Sequence, residues 1–388
     1  MRAGQREQAQ CQQAQWQGWR ASSTVIFVNE VSFRRAIPGP DGPAEGTPAR
    51  RPHSVRRTTT HDSVRSDGLQ GPVTLTAKGR DLYTAPDGTP ATLREAGIVA
   101  VASHPESVLD SISAEPADGR LRALVGKRAS SGFRRAVDEA LPAERGSGSV
   151  YYQLLDDLPT ALLVSGYATL AGAARDLVWD MGHHEGAQGL RRRALPLQTV
   201  DMCSGWVDGG VMVSGLEEGI PPFFTGTLAP GIGTDDPWAW HPHQVLPAHA
   251  MRRRRRLDVW AADDAADDAT GHATGGATAY VEAFFRDSYM GTDGVETVVH
   301  EYTVRAVVDR EAESFRMCKA GFGSLPWPEC PGALASAARL AGTPVAGLRQ
   351  RVRSDFTGVG TCTHLNDTLR SLEDVTALVS VLQERRAG

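Results

Sequence analysis

Two Asp-Gly pairs along the chain each separate two runs in which apolar and polar residues alternate. The pair Asp87-Gly88 lies between VTLTAKGRDLY and ATLREAGIVAVAS, and Asp293-Gly294 lies between FRDSYM and VETVVHEYTV. Alternation with a period of two predicts strands with one buried face, and Asp-Gly favours a tight hairpin turn. The pattern therefore predicts two β-hairpins.

The two hairpin segments align with each other without a gap. GRDLYTAPDGTPATLREAGIV, from Gly79, matches FRDSYMGTDGVETVVHEYTV, from Phe285. The pairs of identical residues are Arg80 and Arg286, Asp81 and Asp287, Tyr83 and Tyr289, Asp87 and Asp293, Gly88 and Gly294, and Glu95 and Glu301. Such self-similarity predicts an internal duplication.

The correspondence continues beyond each hairpin. A third strand (SVLDSISAE or ESFRMCKAG) is followed by a helix closing at Gly126 or Gly342 and then by a second helical region. The predicted fold is α+β: two tandem, divergent copies of an antiparallel meander with helices packed on one sheet face, paired pseudo-symmetrically. The predicted divisions are a disordered tail at 1–50, a first repeat at 51–176, a connecting region at 177–250 and a second repeat at 251–388.

Composition narrows the possible functions. Hydrophobic residues make up 41% and charged residues 22%, which is typical of a globular protein, and the formal net charge is -5. No overall field favours nucleic acid or an anionic membrane, so we expect neither as a partner, whereas a small-molecule substrate is compatible. Five cysteines without a disulfide pattern and no signal-peptide pattern predict a cytoplasmic protein.

Candidate chemistry is concentrated in the second repeat. Where the second copy has His300, Cys362 and His364, the first has Arg94, Tyr151 and Gln153. Cys330 lies in a segment that the first copy lacks. Cysteine and histidine are ligands suited to zinc or iron, so we predict a metal held by His300, Cys330, Cys362 and His364.

Other residues could support this chemistry or an alternative. Glu301 and Asp367 are candidate proton carriers for a metal-dependent reaction. Alternatively, Cys330 or Cys362, each placed by the sequence at a helix N-terminus that lowers a thiol pKa, acts as a nucleophile on an acyl or thioester substrate. In that scheme Arg254 and Arg255, within the run Arg252 to Arg256, would bind a phosphate-bearing group such as that of coenzyme A. A third alternative is a non-enzymatic binding or assembly module with a tryptophan-lined cleft.

The second repeat also resembles a known family. VHEYTVRAVVD, SLPWPECPGALASAARLAG and GVGTCTHLNDTLRSL resemble the bacterial domain-of-unknown-function family 2889 over about the last third of the chain. The family implies a domain boundary and no activity. A fainter similarity is to the NifU-type and IscU-type iron–sulfur scaffold fold. That likeness implies that His300 and Glu301 lie near a first metal-ligand loop, with Cys330 and Cys362 at the second and third ligand positions.

Overall fold

The computed structural model of the protein describes residues 26–28, 31–180, 200–217, 222–261 and 278–387. The strands are β1 (Ile26–Val28), β2 (Val31–Arg35), β3 (Ile37–Pro38), β4 (Ser54–Val64), β5 (Val73–Thr84), β6 (Pro90–Ala102), β7 (Leu109–Glu115), β8 (Phe224–Thr225), β9 (Thr227–Leu228), β10 (Met251–Ala261), β11 (Thr278–Met290), β12 (Glu296–Asp309) and β13 (Ser314–Leu325). The α-helices are α1 (Phe133–Ala140), α2 (Val150–Asp180), α3 (Val211–Glu217), α4 (Leu348–Asp355), α5 (Thr363–Ser371) and α6 (Val375–Ala387). The longer 3-10 helices are Gly119–Leu124 and Cys330–Leu340.

Ten strands form one antiparallel sheet, which confirms the α+β prediction. The strand order is β3-β13-β12-β11-β10-β4-β5-β6-β7, with β9 paired to the end of β12. Both predicted hairpins are present, because β5 pairs with β6 and β11 pairs with β12 around their Asp-Gly turns. The sheet contains two groups of four strands, β4–β7 and β10–β13, which join in the middle of the sheet where β10 pairs with β4.

The helices cover one face of this sheet and contribute carboxylates to buried arginines of the central strands. Arg57 of β4 bonds to Asp374, and Arg253 and Arg255 of β10 bond to Asp367 and Asp157, respectively. Because side chains alternate along a strand, these residues share the helical face of the sheet. Buried charges require such pairing, so the arginine-rich strand can lie at the centre of the molecule.

The opposite face of the sheet is covered by irregular segments around residues 36–50 and 229–249. Ala44 contributes its amide and carbonyl to Glu301 and Arg286, and Trp240 packs edge-on against Phe284. The prediction of disorder over residues 1–50 is therefore wrong for 31–50. Backbone and side-chain bonds to the distant second hairpin compensate for the low apolar content that suggested disorder. Residues 1–25, 29 and 30 lie outside the described part.

The predicted connecting region does not begin where its boundary was placed, because helix α2 continues to Asp180. Of its tryptophans, Trp240 is buried, and Trp238 stays 40% exposed beside Arg80. Among the described residues, no helix combines the length and apolar character that a membrane span requires.

Candidate metal site

Two histidines from the second half of the chain meet between the sheet and the helices. His300 lies on β12 and His364 in the first turn of α5, and their rings stack with centroids 3.7 Å apart at 19°. Phe285 of β11 also stacks on His364, with ring centroids 6.3 Å apart at 28°. The structure thus brings together two of the four metal ligands predicted from the sequence.

The third member of the cluster is Asp287, directly opposite His300 in the β11–β12 register. The Nδ1 atom of His300 lies 3.6 Å from Oδ2 of Asp287. One ligand atom from each of Asp287, His300 and His364 lies within 4.8 Å of the others, as a metal site requires. Asp287 is one of the residues identical in the two hairpin segments, and it was not predicted as a ligand. The predicted hairpin could have identified it, because pairing the two strands around the Asp-Gly turn places Asp287 opposite His300.

Arg253 fixes the orientation of the Asp287 carboxylate. Its Nε and Nη2 atoms donate to the two oxygens of Asp287 at 2.9 and 3.0 Å, while Nη1 donates to Asp367 at 3.1 Å. Burial raises the pKa of Asp287, but the charge and hydrogen bonds of Arg253 together with the interaction with His300 overcome this effect and hold the pKa well below its usual range. The carboxylate is therefore ionised and faces the two imidazoles.

His364 is a neutral imidazole in this environment. Burial lowers its pKa well below the ordinary value, and His300 lowers it further. Nε2 of His364 and Nδ1 of His300 are buried and have no hydrogen-bond partner among the described residues. An unprotonated imidazole nitrogen that has no hydrogen-bond partner can serve as a metal ligand.

Cys362 lies beside this cluster. It is the N-cap residue of α5, and its Sγ lies 3.8 Å from Nδ1 of His364. Its other neighbour is Tyr302, a fully buried residue whose ring stacks on Phe285. Burial raises the pKa of Cys362, so the thiol carries its proton near neutral pH.

Cys330 interacts electrostatically with Cys362, but its packing contacts lie outside the cluster of candidate ligands. It begins the 3-10 helix after β13, as the sequence predicted. Its sulfur packs against Gly205, and its backbone N–H donates to the carbonyl oxygen of Trp327. The cluster of potential ligand atoms found among the described residues does not include it. Burial raises the pKa of Cys330 well above normal. The expectation that helix N-termini lower both thiol pKa values is therefore wrong, because desolvation outweighs the helix dipole.

The two proposed proton carriers are both held in ion pairs. Glu301 lies on the sheet face opposite His300, where Oε2 accepts from Nε of Arg286 at 2.5 Å. Burial raises the pKa of Glu301, whereas the Arg286 charge lowers it. Asp367 lies one helical turn after His364 and pairs with Arg370 and Arg253, which hold its pKa far below normal. Of the two, Asp367 is the one on the side of the metal ligands.

The two arginines predicted to bind an anion have different surroundings. Arg255 donates to both oxygens of Asp157 at 2.5 and 3.0 Å and to the hydroxyl of Thr368. Arg254 points to the opposite face of the sheet. Its closest carboxylate is that of Glu296, at 3.7 Å.

Comparison with known proteins supports a family resemblance for the second half alone. Residues 251–378 match the model of the family described as "Protein of unknown function (DUF2889)". This confirms the resemblance predicted for the last third of the chain. No curated protein and no solved structure is found to match the chain, so the likeness to the NifU and IscU scaffold stays a prediction.

Proposed function

We propose that the second half of this protein binds one transition metal ion, zinc or iron, through Asp287, His300 and His364. The observation that carries the proposal is the convergence of one carboxylate and two imidazoles within 4.8 Å. Two histidines and one carboxylate form a ligand set that suits iron(II) and zinc and leaves coordination positions open.

The protonation states in the cluster favour a cation. Asp287 is ionised, His364 is neutral, and a nitrogen on each histidine lacks a partner in the described structure. Arg253 occupies both oxygens of Asp287 and leaves further lone pairs on them. It therefore acts as a positioning residue, like the partners that usually orient metal-ligating carboxylates.

Cys362 is the candidate for a fourth protein ligand. Its sulfur lies 3.8 Å from the His364 ring, and a metal ion would remove the thiol proton that burial retains in the free protein. With Cys362 bound, the site would be closed and structural. Without it, the open position would hold water or a substrate, and the metal would lower the pKa of that water or polarise a carbonyl.

Metal titration of the chelator-treated protein tests the proposal. We expect one Zn²⁺ or one anaerobically added Fe²⁺ to be retained per chain after desalting, as measured by plasma mass spectrometry. Asp287→Asn, His300→Ala and His364→Ala should each weaken binding by about 100-fold or more, since even residues that only orient ligands contribute about 10- to 100-fold.

The exposed residue His243 provides a matched control, because His243→Ala removes an imidazole elsewhere in the described structure. Retention of the ion by all three ligand variants, or by none of the proteins including the wild type, would refute the proposal.

We propose further that the two halves derive from a duplication in which the first half lacks the site. Both halves have four antiparallel strands followed by a 3-10 helix and α-helices, two described in the first half and three in the second. Arg57 pairs with Asp81 as Arg253 pairs with Asp287, and opposite these aspartates are Arg94 and His300. The shared Arg–Asp pairs are consistent with a common fold of the two halves. The replacement of His300 by Arg94 is consistent with metal binding by the second half alone.

The contact between Cys362 and His364 is the observation that favours the alternative of a cysteine nucleophile. The buried, protonated state of the thiol makes this alternative the weaker one, because the thiolate is the reactive form. Alkylation rates distinguish the two and are considered in the Discussion.

A further inference from the structure

The five consecutive arginines of β10 differ in how their charges are satisfied. Four of them donate to carboxylates at hydrogen-bonding distance: Arg252 to Asp62, Arg253 to Asp287, Arg255 to Asp157 and Arg256 to Glu282. The side chain of Arg254, alone among the five, makes no hydrogen bond to the described residues. The difference does not arise from exposure, because all five are buried.

The guanidinium of Arg254 has little compensation for its burial. Its side chain is 9% exposed, and its Nε atom is buried with no partner in the described structure. The carboxylate of Glu296 lies 3.7 Å from Nη1, beyond hydrogen-bonding distance, and accepts instead from the hydroxyl of Ser288 at 2.5 Å. A buried donor without an acceptor costs free energy, and a buried charge costs more.

The neighbouring cations do not relieve this cost. Arg286, opposite Arg254 on β11, donates from each of its three nitrogens, to Glu301 and to the carbonyls of Pro230 and Ala44. Arg252, two residues earlier on the same face, is satisfied by Asp62 and the carbonyl of Gln244. Burial and these like charges lower the pKa of Arg254 to about 10, so it remains positive at neutral pH.

We propose that Arg254 binds an oxyanion, the carboxylate or phosphate group of a small molecule, on the sheet face opposite the metal site. A guanidinium offers parallel donors that match the two oxygens of such a group. Among the described residues, Asp62 and Glu301 already accept from Arg252 and Arg286, and Glu296 accepts from Ser288, which leaves Arg254 for a ligand. The proposal selects Arg254 from the pair predicted by sequence, because Arg255 is held by Asp157.

The oxyanion site is independent of the proposed metal site. Side chains of adjacent strand residues point to opposite faces, so Arg254 and Arg253 face different layers of the molecule. Loss of oxyanion binding would leave the metal proposal intact, and the reverse also holds.

Glu296 provides a variant that distinguishes oxyanion binding by Arg254 from a purely structural role. Its carboxylate is the nearest negative charge to Arg254 and would repel an incoming oxyanion. Glu296→Gln should therefore strengthen oxyanion binding by about tenfold, the effect of removing one nearby like charge in a partly buried site. A purely structural role for Arg254 predicts no such gain.

Thermal unfolding in sodium phosphate, sodium acetate and sodium chloride of equal ionic strength tests the site. Phosphate and acetate distinguish the two sources of the oxyanion. For the wild type we expect at least one of them to raise Tm saturably above the chloride value. Arg254→Gln should abolish this rise, whereas Arg305→Gln, at a side chain that is 79% exposed, should keep it.

Two further variants keep the test decisive if Arg254→Gln does not fold. Arg254→Lys retains the charge but loses the planar donors, so it should bind the same anion more weakly than the wild type. Glu296→Gln should bind it more tightly. Equal Tm values in all three salts would show that water alone satisfies Arg254. That result, or unchanged anion affinity in Arg254→Lys and Glu296→Gln, would overturn the proposal.

Discussion

The imidazole rings of His300 and His364 lie face to face with their centroids 3.7 Å apart, although one belongs to a strand and the other to a helix. Two protonated imidazoles at this separation would repel each other in a poorly solvated environment. Burial together with His300 accordingly lowers the pKa of His364. The His364 ring is therefore held in the neutral form, the form that binds a metal.

This arrangement predicts acid sensitivity of the metal-free protein. The folded-state pKa of His364 lies below the unfolded value of about 6.5, so below that pH the unfolded chain binds more protons. The free energy of unfolding should be independent of this group above about pH 6.5 and should decrease as the pH falls below it.

Urea denaturation at a series of pH values measures this effect. His364→Gln introduces the residue found at the corresponding position of the first half, Gln153, and should reduce the slope below about pH 6.5. Part of the slope should remain, since burial also lowers the pKa values of His61 and His241. An unchanged slope in the variant would contradict the assigned environment of His364.

A second prediction concerns the arginine that joins sheet and helix. Arg253→Met leaves the buried carboxylate of Asp287 without its bidentate partner and removes one cation from Asp367. Breaking such a buried pair costs about 3–5 kcal/mol of unfolding free energy. Urea denaturation should show this loss, whereas Arg305→Met at the surface should change stability by less than about 0.5 kcal/mol.

Alkylation of the native protein tests the reactivity of the cysteines. Cys203, Cys318, Cys330 and Cys362 are all buried, and burial raises each thiol pKa. Iodoacetamide at neutral pH should therefore label all four slowly, and labelling should accelerate strongly after denaturation. Peptide mass spectrometry gives the rate for each site. Rapid labelling of Cys362 alone in the native protein would favour the nucleophile over the metal site.

Close packing between Gly205 and Cys330 gives a fourth prediction. A Cβ atom added at Gly205 would lie 2.7 Å from the Cys330 sulfur and 3.1 Å from Cδ1 of Trp327. Gly205→Ala should therefore lower the unfolding free energy by about 1–3 kcal/mol.

Cys330→Ala removes the obstructing sulfur, so the double variant should be more stable than the sum of the two single effects by about 0.5–3 kcal/mol. Additive effects in chemical denaturation would show that the two residues do not contact each other in this way.

Local patterns along the chain were sufficient to predict several features. The alternation around Asp87-Gly88 and Asp293-Gly294 predicted both hairpins, and the presence of Arg94 and Gln153 in the first half where the second has His300 and His364 pointed to the half that carries the candidate site. The resemblance of the second half to a known family was also visible in its motifs. These features depend on residues that are near one another in sequence or on direct comparison of two segments.

Asp287 illustrates what local patterns missed. It is identical to Asp81 in the first repeat and therefore looked like a residue of the fold, and only its position opposite His300 makes it a candidate ligand. Cys330 illustrates the opposite case. Its place at a helix start was predicted, but the packing of its sulfur depends on Gly205, which is far away in sequence.

The sequence by itself determined the strand and turn pattern, because side-chain alternation and Asp-Gly turns act over a few residues. Tertiary structure decided which side chains meet and which charges are neutralised. The arginine run shows the physical reason. In sequence its members are equivalent neighbours, but alternation directs Arg253 and Arg255 to the helical residues Asp367 and Asp157 and Arg254 to the other face. There, no carboxylate of the described residues is hydrogen-bonded to Arg254.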